Sequence, residues 1–236
     1  MSAPQPVIIL GTGGNSRDIL DTIHDVNDRA ATPVYACRGF LDDAAARWGT
    51  RIHGVPVLGP LTSAPEHPDC AFVNGIGAPT NFWQKAEIIA KTGAAPEHFL
   101  TLIHPSASVS RTATLGRGVV IFQQVVITTH VTIGHHVIIL PHSVVSHDAV
   151  IGDYTCLAGG VCLSGEVQVG ASCYLGTNSS VIGRATIGAG CLIGMGSCVL
   201  RSVPPNSVVV GNPARFLRHT INGRREVTTP DKGELP

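Results

Sequence analysis

The chain has 236 residues with equal numbers of acidic and basic side chains, a formal net charge of zero, and only 14% charged residues against about 25% in an average globular protein. No Lys/Arg cluster is long enough to track phosphates, which excludes nucleic acid and acidic membrane surfaces as partners. Seven cysteines, an odd number without a C-x-x-C pair, argue against a disulfide framework or a zinc knuckle. Val7 to Leu10 is the only apolar run near the N-terminus and carries no basic lead or cleavage site, and no stretch approaches the roughly 18 apolar residues of a membrane span. The expectation is a cytoplasmic protein of one large or two modest domains.

Val7 to Leu10 predicts a buried strand, and Gly11-Thr12-Gly13-Gly14-Asn15-Ser16 follows it directly before a helical pattern of Ile19, Leu20, Ile23 and Val26. Strand, glycine turn, helix opens a doubly wound α/β unit, in which helix N-terminal amides receive an anion. The spacing is not G-x-G-x-x-G, so two readings stay open: a tight turn that needs glycine for its backbone alone, and a phosphate cradle. A second strand ending in Gly39-Phe40-Leu41-Asp42-Asp43 sets two carboxylates at its carboxyl end, the crevice where open α/β sheets bind ligands. A third apolar segment, Ala71 to Ile76, ends in Gly75-Ile76-Gly77 and leads into a helix over about Thr80 to Ala90. The Pro-rich stretch 55–68 reads as surface loop, and a last strand near Phe99 to Ile103 enters the next region through His104-Pro105. Together these predict a small α/β domain over residues 1–102, large enough for a mononucleotide.

From Ile103 to Val199 an aliphatic residue stands at every sixth position, and a small or β-branched residue stands two places before most of them. Glycine follows the aliphatic at Gly116, Gly134, Gly152, Gly170 and Gly188, eighteen residues apart. Antiparallel strands repeat every two residues and helices every 3.6, so a strict six with turns of eighteen is the hexapeptide repeat of a parallel β-helix. Each six is one short strand and a corner, three corners close a triangular coil, and coils stack at ~4.8 Å. The repeat breaks at Pro204-Pro205, and Val208 to Arg215 with Phe216 and Leu217 reads as a segment capping the open end, giving a β-helix domain over 103–218. Residues 219–236 are expected to form a flexible tail. Cys156, Cys173, Cys191 and Cys198 occupy repeat positions that suit small core residues.

Residues eighteen apart lie above one another in this geometry. One corner column reads Thr129, His147, Gly165, Gly183, and its neighbour His130, Asp148, Glu166, Arg184. A histidine beside a carboxylate is a general base, and an unhindered glycine N–H one coil away is a donor to an oxyanion. No serine or cysteine nucleophile is required if a substrate amine attacks a thioester directly. A solvated corner residue remains the alternative for His147. A metal reading rests on His142 and His147, five apart, and lacks a third ligand at a fitting coil, where Ser106 and Gln124 stand.

Hexapeptide repeats ending in GNPAR resemble the left-handed β-helix acyltransferases. VIILGTGGNSRDIL, GFLDD, NGIGAPTN, LIHPSA, SHDAVIGDY and LSGEVQVG together resemble the sugar O-/N-acetyltransferases of the sialic-acid O-acetyltransferase, bacillosamine and perosamine N-acetyltransferase type, over about residues 6–218. The resemblance implies that His147 deprotonates the acceptor amine, that Asp148 supports it, and that the Gly165 N–H meets the thioester oxygen. It implies a nucleotide-sugar site at Gly11, Gly13, Gly14, Asn15, Asp42, Asp43 and Gly77. It also implies a homotrimer with acetyl-CoA in the groove between adjacent β-helices, against Gly165 and Gly183 on one corner and Thr177, Gly194 and Met195 on another. No metal cofactor is implied. Two departures stand out: Asn15 replaces a histidine found after the first glycine turn in several members, and Cys156 replaces, beside the cofactor, a second histidine of the bacillosamine enzyme. The expected activity is acetyl transfer from acetyl-CoA to the amine, best assigned as the 4-amino group, of a nucleotide-linked amino sugar. A sugar O-acetyltransferase and, in a different class, a γ-type carbonic anhydrase or other metal-binding β-helix are the alternatives.

Overall fold

The computed structural model describes residues 3–220. Its first part is a five-stranded sheet of β1 (Gln5–Leu10), β2 (Tyr35–Leu41), β3 (Arg51–Ile52), β4 (Val55–Gly59) and β5 (Ala71–Asn74), in the order β3-β4-β2-β1-β5. All neighbours are parallel except β3 and β4. Helix α1 (Gly14–Arg29) crosses from β1 to β2 and buries Ile19, Leu20 and Ile23. The strand at Val55–Gly59 corrects the expectation of a loop over 55–68. Pro56 has no N–H to give a ladder, and β4 tolerates it because only the two-residue β3 lies beyond it. The helix expected over 80–90 is a 3₁₀ turn at Phe82–Gln84 followed by α2 (Lys85–Ala90). Instead of a strand over 99–103, Phe99 makes a single bridge to Phe72 and Leu102–Ile103 already belongs to the second part.

That second part is a left-handed parallel β-helix. Two-residue strands recur every six residues from Leu102–Ile103 to Cys198–Val199, and each pairs in parallel with the strand eighteen residues away. Three faces result. The first runs from Leu102–Ile103 through Val120–Ile121, Ile138–Ile139, Cys156–Leu157, Tyr174–Leu175 and Leu192–Ile193; the second begins at Ser108–Val109 and the third at Thr114–Leu115. The sixth-position aliphatics and the residues two before them point inward and form one core, with Leu157, Leu163, Leu175 and Ile187 fully buried. Each contributes about 2 kcal/mol by leaving water. Ile103, in the first coil, is 37% exposed because no coil lies beneath it. Cys173 and Cys191 pack in this core, as expected.

The eighteen-residue glycines have a steric cause. A Cβ on Gly116, Gly152 or Gly170 would lie 2.5 to 2.6 Å from backbone atoms of the coil above, so the corner between the third and first faces closes only with glycine. All three corners also use left-handed backbone on ordinary residues, in three columns: Gln124, His142, Asn178; His130, Asp148, Glu166, Arg184; and His136, Tyr154, Ser172, Asn206, the last in the same corner as these glycines. Outward residues of the first face, Val120, Phe122, Ile138 and Cys156, pack with Val7, Ile9 and α1, joining the two parts through one apolar layer.

Beyond the break, Ser207–Val210 continues the first face and Arg215–His219 returns antiparallel to it. Val203, Val209 and Ala214 meet the core, whereas Phe216 and Leu217 are 57% and 58% exposed, so the expected capping role falls to the smaller residues. Arg215–His219 carries ordered strand one residue past 218, and the rest of the expected tail, 221–236, lies outside the described residues. Among the described residues no helix is long and apolar enough to cross a membrane.

Candidate active site

His147 and Asp148 occupy the corner between the second and third faces. Asp148 adopts φ 58°, which turns its carboxylate back, and Oδ2 lies 2.8 Å from His147 Nδ1. The side chains are 57% and 53% exposed. Backbone bonds stack the column: Asp148 N donates to Thr129 O, Glu166 N to His147 O and Arg184 N to Gly165 O. The imidazole therefore lies against Gly165, where a Cβ would stand 2.5 Å from its Cε1 and Nε2. Among the described residues the Gly165 N–H donates to no carbonyl, which leaves it free for a ligand. Gly183 continues the column, and Glu166 pairs with Arg184 at 3.1 Å beside it. With Nδ1–H directed to Asp148, Nε2 is free to accept a proton.

Thr177 and Met195 stack on a different corner, between the first and second faces, joined by Gly196 N to Thr177 O. Met195 is 77% exposed, and Gly194 precedes it in van der Waals conflict with Val210 were it any larger. One chain thus does not bring these residues to His147. Cys156 corrects its expected place beside a cofactor. It is an outward residue of the first face, 3% exposed, and its thiol accepts from Lys85 Nζ at 3.4 Å. The packing of the α/β part on that face buries it.

The residues expected at a nucleotide-sugar site do converge. Gly11, Gly13, Gly14, Asn15, Asp42, Asp43 and Gly77 line one cleft of about 550 Å³. Gly11 has φ +87°, and a Cβ there would strike Ile76, so the turn needs glycine. Gly13 is the N-cap of α1 and supplies no side chain, the helix has no acidic residue in its first turn, and its leading amides face the cleft uncapped. Asn15 Nδ2 donates to Gly77 O at 3.3 Å, tying the two glycine turns together. Asp42 accepts from Thr12 Oγ1 at 2.5 Å and from Ala44 N. Asp43 accepts from Leu61 N and from Lys91 Nζ at 2.7 Å. Burial pushes the Asp43 carboxyl up, but the Lys91 and Leu61 hydrogen bonds and the Lys91 charge outweigh it and hold it below the usual range. Thr12, Asn81, Gln84, Lys91, Leu140 and Tyr174 also line the cleft and were not anticipated. Thr12 was legible inside the glycine turn. Lys91 lies 48 residues from its partner, and Leu140 and Tyr174 enter only through the packing of the two parts. Among the described residues no three His, Cys, Asp or Glu side chains gather as metal ligands.

Fold and site together define a hexapeptide-repeat β-helix protein with an α/β sheet packed on one face. The family model for the bacterial transferase hexapeptide (six repeats) matches residues 130–165. A curated relative, UDP-N-acetylbacillosamine N-acetyltransferase of Bacillus subtilis (strain 168), is 34% identical over 119 residues, 49% of this chain and 50% of the relative, so the match spans about half the length of that protein. Among solved structures, PerB from Caulobacter crescentus in complex with CoA and GDP-perosamine superposes with a TM-score of 0.77 at 28% identity, covering 92% of this chain and 99% of that one. The acetyltransferase domain of PglB from Neisseria gonorrhoeae FA1090, in complex with acetyl coenzyme A, gives 0.78 at 25%, covering 91% and 100%. In sequence over half its length, and in fold over nearly all of it, the chain is similar to sugar N-acetyltransferases of the bacillosamine and perosamine type.

Proposed function

We propose that the chain is an acetyltransferase that moves acetyl from acetyl-CoA to the 4-amino group of a nucleotide-linked amino sugar, in the cytoplasm and in glycan biosynthesis. The observation that carries this is the His147–Asp148 pair at 2.8 Å beneath the free N–H of Gly165. The acceptor amine attacks the thioester carbonyl carbon and gives a proton to His147 Nε2. Asp148 stabilises the imidazolium through Nδ1–H, and Gly165 N–H donates to the oxyanion. Collapse breaks the C–S bond, and the CoA thiolate takes the proton from His147. PerB and the PglB domain, with CoA or acetyl-CoA in their complexes, support this donor.

The working unit in this reading is a homotrimer. Residues 1–102 hold the nucleotide sugar, and 103–218 carry the base. The cleft is bordered by Leu140 and Tyr174, next to the edge between the first and second faces, while His147 stands on the edge between the second and third. One face of the prism separates them, more than a single reacting centre can bridge. Setting the His147 edge of one copy against the cleft edge of the next joins them and also brings exposed Met195 and Thr177 to the cofactor groove.

The test is a thermal-shift screen of UDP-, GDP- and dTDP-linked 4-amino sugars with CoA, followed by measurement of CoA release and of mass in solution. A stabilising nucleotide sugar that is acetylated on nitrogen by a trimer is the expected result. Acetylation of hydroxyl acceptors with amines untouched, or full turnover by a monomer, overturns it.

A further inference from the structure

Lys85 opens α2 and is fully buried. Its ammonium has one hydrogen-bonding partner, the Cys156 thiol at 3.4 Å, and among the described residues no carboxylate pairs with it. A buried ammonium without a counter-ion destabilises a fold, and burial pulls its pKa down. The imidazole of His136 is the other titratable group that feels its charge, and Tyr174 lies on the far side of Cys156. Burial, and then the charge of Lys85 itself, hold His136 down to about 4, so neither neighbour supplies a negative charge at neutral pH. Within the folded chain only the Cys156 sulfur, by its charge and its hydrogen bond, favours the ammonium; burial outweighs it, and nothing else there accounts for a cation.

The cleft does. Gly77 forms part of its wall, and a Cβ on Gly77 would lie 3.8 Å from Lys85 Nζ and 2.5 Å from the Cys156 sulfur. Gln84 and Ile88, flanking Lys85 in sequence and one helical turn on, line the same cleft. The ammonium is therefore one backbone layer behind the wall. The formally charged side chains on the cleft surface are Asp42, Asp43 and Lys91, a sum of −1, with Lys91 already engaged by Asp43. A diphosphate ester entering this cleft meets repulsion from the surface side chains, which the uncapped start of α1, about half a positive charge, offsets only in part.

We propose that Lys85 supplies, from behind Gly77, the positive charge that selects a diphosphate-bearing acceptor over an uncharged nucleoside or a free amino sugar. This rests on the reading of the cleft as the nucleotide-sugar site. Lys85 is a specificity-determining residue that acts through space and through the Gly77 backbone, and its missing counter-ion is the ligand.

The experiment compares wild type, Lys85→Met and Cys156→Ala, measuring by calorimetry the affinities for uridine, UMP and UDP and for the guanosine series, alongside thermal unfolding. Lys85→Met is expected to fold with an unchanged or higher Tm, to bind the diphosphate about tenfold more weakly or worse, and to bind the nucleoside as wild type does. The KM for the sugar nucleotide rises with kcat unchanged. Cys156→Ala, which removes the partner but not the charge, keeps the preference for diphosphate. Equal diphosphate affinity in Lys85→Met and wild type overturns the proposal, as does loss of the preference in Cys156→Ala. A Lys85→Met protein that cannot fold also overturns it, because the charge would then serve the fold. Wild type that binds no nucleotide at all is a separate result, which removes the reading of the cleft along with the proposal.

Discussion

At the His147 corner the side chains are exposed and the backbone does the holding; in the α/β cleft the side chains hold one another. His147 and Asp148 project from a stack of inter-coil hydrogen bonds that any sequence of the right period makes. Asp42, Asp43, Thr12, Asn15 and Lys91 instead spend their hydrogen bonds on Thr12, Leu61, Gly77 and each other, across loops of no fixed period. The difference separates two kinds of substitution. At the corner a side chain can be changed with little effect on stability, and the effect falls on kcat. In the cleft a change alters the shape of the site, and the effect falls on KM.

The comparison breaks first at His147. His147→Ala should lower kcat about a thousandfold while Tm and the mass in solution stay at wild-type values. A stable variant with more than a tenth of the activity removes the base from the mechanism. Gly165→Ala comes next, because its methyl would enter the space of the imidazole. We expect a loss of about a hundredfold in kcat and almost no further loss when it is combined with His147→Ala, since both act on one group. Additive losses would mean that Gly165 works independently of the imidazole. In the cleft, Asn15→Ala removes the bond between the two glycine turns, a neutral hydrogen bond of about 1 kcal/mol. Its KM for the acceptor should rise about fivefold with kcat unchanged in steady-state assays, and a fall in kcat instead would erase the distinction drawn between the two regions.

The legibility of the molecule follows the same line. A period of six over nearly a hundred residues fixes strands, faces and corners, so the column that joins His147, Asp148 and Gly165 was readable from spacing alone. The glycine turn and the two aspartates were readable as the ends of strands in a parallel sheet. Lys91, Leu140 and Tyr174 were not, because they reach the cleft through the packing of the chain after α2 and of one β-helix face, which no local pattern encodes. Cys156 was misplaced for the same reason. In the sequence it is a repeat position equivalent to many others, and only the α/β part seated on the first face distinguishes it. Val55–Gly59 was misread because Pro56, like the prolines that follow the strand, reads as a turn signal, whereas near a sheet edge a strand tolerates it.

His136 offers the smallest test, and it lies on the boundary between the two regions. It sits in a left-handed corner like Asp148, yet it is 8% exposed, stacked on Tyr154 at 5.3 Å and edge-on to Phe99 at 4.7 Å. Its Nδ1 has no hydrogen-bonding partner. Burial, with the charge of Lys85, depresses its folded pKa to about 4, below the ordinary 6.5. Between those values the unfolded chain binds a proton that the folded chain excludes, so this contribution to stability is complete above pH 6.5 and is lost as the pH falls toward 4. From pH 6.5 to 5.5 the loss is about 1 kcal/mol at most. Urea unfolding of His136→Asn should show a lower stability at every pH, because the stacked ring is gone, but a flatter slope across this interval. An unchanged slope would mean that acid acts on another group, and that the burial of this corner leaves the pH dependence of stability untouched.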